Sequence, residues 1–202
     1  LALAGDTVML GGVAVGSFGT KAAANGKAVT VTGNILGGGD ADNYNLVQQT
    51  GLTADITKAD LAVTGLTVAN KTYDATTAAV LGGAASITAL AGDTVTLGGF
   101  AVGSFGTKTA ANSKAVTVTG NTISGTDAGN YNLVQQTGLT ADIAKANLTV
   151  TGLTAASKTY DATTAAVLGG TPSITALTGD TVTLGGVATG AFADKSVAAA
   201  KA

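Results

Sequence analysis

The residues best placed to do chemistry are two aspartates at alternate positions, Asp40 and Asp42 in GGGDADNYN (Gly37 to Asn45). Alternate carboxylates open the calcium loop of an EF-hand, which also needs an acidic ligand at its twelfth position. Counting from Asp40 places Gly51 there, so that motif is incomplete. A related stretch, GTDAGNYN, keeps Asp127 but has Gly129 in the place of Asp42. An Asx-type turn leading into strands at Tyr44 and Tyr131 explains both stretches. Asp40, Asp42 and Asp127 are the only metal candidates, and no metal or cofactor is expected. Two Tyr-Asp pairs, Tyr73-Asp74 and Tyr160-Asp161, lie in identical stretches of KTYDATTAAVLGG. They read either as ligand contacts or as structure, with the ring in the core, its hydroxyl tied to a backbone group and the Asp closing a turn. The structural reading is preferred because the chain is so poor in aromatic residues. The aspartates of GDTV (Asp6, Asp93 and Asp180) read as turns before strands. Phe18, Phe105 and Phe192 read as core. Lys21, Lys108 and Lys195, just after them, read as solvated heads. A Lys-Asp or Lys-Asn isopeptide bond would need a buried lysine beside a catalytic carboxylate, and the sequence gives no sign of that burial.

The composition excludes much else. The 202 residues contain no Glu, Arg, His, Cys or Trp and a single proline, Pro172. Without His or Cys there is no usual general base at neutral pH, no Cys-His pair and no ordinary zinc site. The expectation is that the chain is not an enzyme. It has no disulfide framework, so burial and hydrogen bonds must hold the fold. A net charge of -2 without arginine argues against nucleic acid and against anionic membrane surfaces. The mean hydropathy of +0.40 comes from Ala and Val. Polar residues break every apolar run well short of the ~20 residues of a helical span, so no membrane insertion is expected. Leu1 already lies inside a repeat, so the N-terminus reads as carrying no secretory signal.

The elements that hold these residues come from a repeat. Tyr73 and Tyr160, Tyr44 and Tyr131, and the three GDTV aspartates all recur at 87 residues. Residues 1–60 and 88–147 differ at 12 of 60 positions. A unit of this length is long enough to be a small domain with its own core. The sequence divides into 1–59, the later part of one repeat; 60–146, a complete repeat; and 147–202, the earlier part of a third. This reads as a window on a longer array. Alternatively, the incomplete ends complement each other between molecules by strand donation.

Within the unit the period is two. KAVTVTGN sets Val116 and Val118 against Thr117 and Thr119; DTVTLGG sets Val95 and Leu97 against Thr94 and Thr96. LTVTG opposes Leu148 and Val150 to Thr149 and Thr151, and GLTADI opposes Leu139, Ala141 and Ile143 to Thr140 and Asp142. Alternation with β-branched residues specifies half-buried antiparallel strands. The pairs in LGG, Asn25-Gly26 and the Gly/Asp/Asn clusters read as breaks between them. The expected fold is all-β: tandem small antiparallel sandwich-like modules. The alternative is a β-grasp-like module with one short helix in ATTAAVLGGAASITAL (Ala75 to Leu90).

KTYDATTAAVLGG, followed by ALAGDTVTLGG, GSFGTK, KAVTVTG, SGTDAGNYNL and TADI, resembles the YDG repeat of large bacterial surface proteins. Filamentous-haemagglutinin-type adhesins exported by two-partner secretion are among these. The family usually has Gly after Tyr-Asp, whereas here Ala75 and Ala162 stand there, which implies a backbone that tolerates a Cβ. The resemblance implies a stalk or filament module at the surface of a Gram-negative-type bacterium. Its partners would be neighbouring repeats and other copies of the same fibre, and it transfers no catalytic residues. The competing function is a repeated weak binding module for a glycan or calcium, acting through avidity.

Overall fold

The computed structural model describes residues 2–199; Leu1 and residues 200–202 lie outside the described residues. The chain is all-β. Its strands in order are β1 (Met9–Phe18), β2 (Ala24–Gly37), β3 (Thr53–Ile56), β4 (Ala59–Ala62), β5 (Thr64–Val68), β6 (Lys71–Thr72), β7 (Ala78–Ala79) and β8 (Leu81–Ser86). They continue with β9 (Thr96–Phe105), β10 (Ala111–Ser124), β11 (Tyr131–Val134), β12 (Thr140–Ala144), β13 (Thr151–Ala155), β14 (Ala165–Ala166), β15 (Leu168–Ser173) and β16 (Gly190–Ala191). The only helical turns among the described residues are short 3-10 turns at Ala41–Asn43 and Ala128–Asn130. The Ala75 to Leu90 stretch, weighed as a helix, instead forms β7 and β8. Gly83 holds a φ of +76° there, which no helix accommodates, so the β-grasp alternative falls.

The chain forms two compact units. The first comprises the residues up to Leu66 with Gly83–Val102 and Val118–Thr137. It contains the antiparallel sheet β1-β2-β3 and the parallel pair β11-β4. Leu61, Val63, Leu66, Val118 and Tyr131 are buried in it. The buried Asn121 donates from Nδ2 to Gln135 Oε1 at 2.7 Å, and Gln135 Nε2 donates back to the Asn121 carbonyl at 2.8 Å. Asn34 and Gln48 repeat this at 2.7 and 2.8 Å. Such a two-way clamp satisfies polar groups that burial would otherwise penalise.

The second unit comprises Thr67–Gly82, Gly103–Thr117 and the residues from Gly138 onward. Its principal sheet has the order β6-β12-β10-β9-β7. Phe105, Val116, Ala141 and Ile143 form the core on one face, with Val68, Tyr73, Leu81 and Leu139 packed against them. The alternation predicts this face, since Val116, Ala141 and Ile143 are buried while Thr117 and Thr140 are exposed. Two departures matter. The β12-β6 and β11-β4 pairings are parallel, not antiparallel. Leu148 and Val150 are exposed, while Leu61 and Val63, 87 residues earlier, are buried beside the β4-β11 pairing.

The glycine pairs of LGG are not breaks. Gly11-Gly12, Gly82-Gly83 and Gly98-Gly99 lie inside β1, β8 and β9. A Cβ on Gly99 would stand 2.1 Å from the Gly120 carbonyl oxygen, and one on Gly120 would stand 2.2 Å from that of Phe100. Both have positive φ, +76° and +91°. These glycines let two strands bend tightly against each other, as bulge glycines do. Asn25-Gly26 is likewise part of β2, at a shift of register between Ala24 and Lys27.

Candidate functional site

The KTYD stretch folds as a caged turn. Lys71 Nζ donates to Asp74 Oδ1 at 2.8 Å and to the carbonyls of Thr76 and Ala78, both at 2.9 Å. Asp74 Oδ1 also accepts the Thr76 amide at 2.9 Å. The Lys71 ammonium beside Asp74, helped by the Thr76 amide, lowers its carboxyl to about 2. Lys71 Nζ also stands 5.6 Å from the centre of the Phe105 ring, within cation–π reach. The second stretch repeats the cage: Lys158 Nζ reaches Asp161 Oδ1 at 2.8 Å and the Thr163 carbonyl at 2.9 Å. Ala75 and Ala162 hold φ of 64° and 63°. The position after Tyr-Asp therefore requires the left-handed region that favours glycine.

The tyrosine between cage and sheet faces two ways. The Tyr73 ring packs against the Phe105–Ile143 core. Its hydroxyl does not meet a backbone group; it donates to Asp180 Oδ1 at 2.8 Å. Lys108 Nζ donates to the same oxygen and lies 5.8 Å from the Tyr73 ring centre. Lys108 depresses the Asp180 carboxyl, with Tyr73 second, and Asp180 raises the Lys108 ammonium. A cleft of about 360 Å³ beside this trio is lined by Tyr73, Ala110, Leu148, Leu177 and Val182 among others. Tyr160, by contrast, is 56% exposed.

The GDTV aspartates, read as simple turns, are acceptors as well. The Asp6, Asp93 and Asp180 amides do close turns onto the Leu3, Leu90 and Leu177 carbonyls. Their carboxylates then collect donors from far along the chain. Tyr44 Oη donates to Asp6 Oδ2 at 2.6 Å and Tyr131 Oη to Asp93 Oδ2 at 2.7 Å. Lys21 Nζ donates to Asp93 Oδ1 and lies 3.1 Å from Asp127 Oδ1. This lowers the Asp93 carboxyl and raises the Lys21 ammonium. Hydrogen bonding to Asp93 also raises the Tyr131 phenol.

The metal candidates are engaged in backbone bonding. Asp40 Oδ2 accepts the Thr7 amide at 2.7 Å and Asp127 Oδ2 the Thr94 amide at 2.9 Å. The Thr94 amide first, and Lys21 second, lower the Asp127 carboxyl. Asp42 sits in the first 3-10 turn. Among the described residues no three acidic groups gather as a metal cluster. Lys21 and Lys108 are ion-paired, not merely solvated, with side chains 64% and 40% exposed.

Sequence reasoning missed Lys71 and Lys158 as cage donors and Asp93 and Asp180 as hubs. The signal was present in part. Lys21–Asp93 and Lys108–Asp180 both span 72 residues, while Tyr73–Asp180 spans 107. A separation of 107 exceeds the 87-residue period, so the Tyr73 bond ties one repeat to the next, as the lysine bonds also do. The side chains were visible in sequence, but nothing local pairs them.

Comparison with known proteins agrees with the repeated arrangement. No curated protein and no solved structure matches the chain. A family model for the YDG domain matches residues 1–51, 57–138 and 144–202. With nearly all of its length matched, three times in succession, the chain belongs to the YDG domain family.

Proposed function

We propose that the chain is a structural repeat of a long bacterial cell-surface adhesin or extracellular fibre. It spaces or assembles; it does not catalyse. One observation carries this reading: the charged and phenolic side chains are used to tie successive repeats together. Lys21 reaches Asp93 of the next repeat, and Lys108 with Tyr73 reaches Asp180 of the one after. In a chain of near-identical repeats, the same bonds at each step make a spacer whose length scales with repeat number. The carboxylates that a calcium-dependent adhesion module would need are occupied by backbone amides, which favours the spacer. The partners are the neighbouring repeats and other copies of the fibre, outside the cell. Electron microscopy of intact producing cells, labelled with antibody to the chain, tests this. Label on extracellular fibres is expected, whereas label that appears only after lysis removes the reading.

A further inference from the structure

The sheet β1-β2-β3 is the counterpart, 87 residues earlier, of β9-β10-β12. The later set is flanked on both edges, by β6 along β12 and by β7 along β9. Both flanking strands come from the single stretch Lys71–Ala79. Ile143 pairs with Lys71 and Ala78 with Ser104. The stretch is pinned by Tyr73 N–H to the Ala144 carbonyl and Phe105 N–H to the Thr77 carbonyl, both at 2.8 Å. It acts as a clasp around the end of the sheet, and it closes the core.

The earlier sheet has no clasp. Among the described residues nothing pairs with the outer edges of β1 and β3. Phe18 is 39% exposed where Phe105 is 3%. Val29 and Ile56 are half-buried and Ala54 exposed, where Val116, Ile143 and Ala141 are buried. The opposite deficit lies at Lys158–Leu168. There the clasp is already formed around Lys158 and Asp161, but it holds only the two-residue strand β16, through Ala165–Ala191 and Ala166–Gly190. Tyr160 is exposed, and its hydroxyl has no partner among the described residues.

We infer that the Lys158–Leu168 clasp of one molecule closes on the β1-β2-β3 sheet of a second molecule. Gly16 and Ser17 of the second molecule take the places of Gly190 and Ala191, like for like. Tyr160 then meets Asp93 of the second molecule, where Lys21 already sits as Lys108 sits on Asp180. That carboxylate lacks only the tyrosine to complete the trio seen at Tyr73. The exchange favours the second molecule because it brings three strands and an apolar face, where β16 brings two residues. Clasp and sheet are different surfaces, so the contact is heterologous and leaves each assembly with a free end of either kind. Growth is therefore open-ended. The inference gives the fibre reading its molecular joint and rests on that reading for its biological sense, but its test is independent.

Sedimentation equilibrium of the 202-residue chain over a wide concentration range is the first measurement. The expected result is an average mass that climbs past the dimer as concentration rises. Tyr160→Phe removes only the hydroxyl of an exposed residue, so the fold should hold by circular dichroism. The association should weaken about tenfold, as loss of one hydrogen bond to a carboxylate implies. Mixing Ser17→Cys with Ala165→Cys molecules under mild oxidation should give a disulfide heterodimer well above that from Ala165→Cys with Thr30→Cys. A 19.2 kDa monomer at every concentration overturns the inference. So does association that ignores Tyr160→Phe and yields no excess of the Ser17–Ala165 crosslink. A monomer would leave the fibre reading to its own image, whereas chain absent from surface fibres would leave a measured association standing.

Discussion

At the scale of the residue, Tyr-Asp in this chain is two devices side by side. Asp74 belongs to a local cage, and Tyr73 to a bond that reaches the next repeat. The alanine after them carries left-handed strain that a glycine would not. Ala75→Gly should stabilise the fold by about 0.5 kcal/mol. Relief of ~1 kcal/mol of strain is partly offset by the glycine's freedom in the unfolded chain. A rise in urea midpoint checks this, and an unchanged or lower midpoint counts against it. The carboxylates set the acid limit. Asp74 and Asp161 fall from the ordinary 3.8 to about 2, because Lys71 and Lys158 hold them ionised. A depressed carboxyl contributes stability that is present above 3.8 and lost as pH falls through the folded value. Acid destabilisation should therefore gather between about 4 and 2, with the Asp74 and Asp161 carboxyl resonances titrating near the lower limit. At the alkaline end Lys21 and Lys108 are raised above 10.5, so their contribution is complete below that pH and lost as pH rises through the folded values. Carboxyl resonances that titrate near 3.8 would show the cages to be open in solution.

At the scale of the element, the strands were largely legible. Period-two alternation marks the buried face of β10 and β12 correctly, because one face of a sheet meets the core. Alternation cannot report pairing direction, and so it missed the parallel β6 and β4. Glycine was the harder letter. In LGG it looks like punctuation, yet it permits a bulge where two backbones nearly touch. Gly99→Ala places a Cβ against the Gly120 carbonyl at a positive φ, combining overlap with backbone strain. It should cost about 3 kcal/mol. Gly92→Ala is the control: it shares a positive φ, +86°, but has open space around it. Comparable losses for both, measured by chemical denaturation, would mean that the close approach contributes nothing.

At the scale of the whole molecule, the 87-residue period was plain in the sequence and the bonds between repeats were not. Asp93 and Asp180 looked like turn residues because their donors lie 72 and 107 residues away. Each bond also involves exposed or half-exposed groups, which contribute modestly one at a time. Their significance lies in recurrence: identical side chains meet identical partners at each step along the array. Such a plan suits a fibre, where length follows from repeat number and no single joint carries the assembly. The measurement that tests this most directly is an image of the native assembly on producing cells, with gold-labelled antibody to the chain marking its position. The account predicts thin extracellular fibres with label recurring along their length. Label confined to isolated compact particles, or to the cell interior, would contradict it.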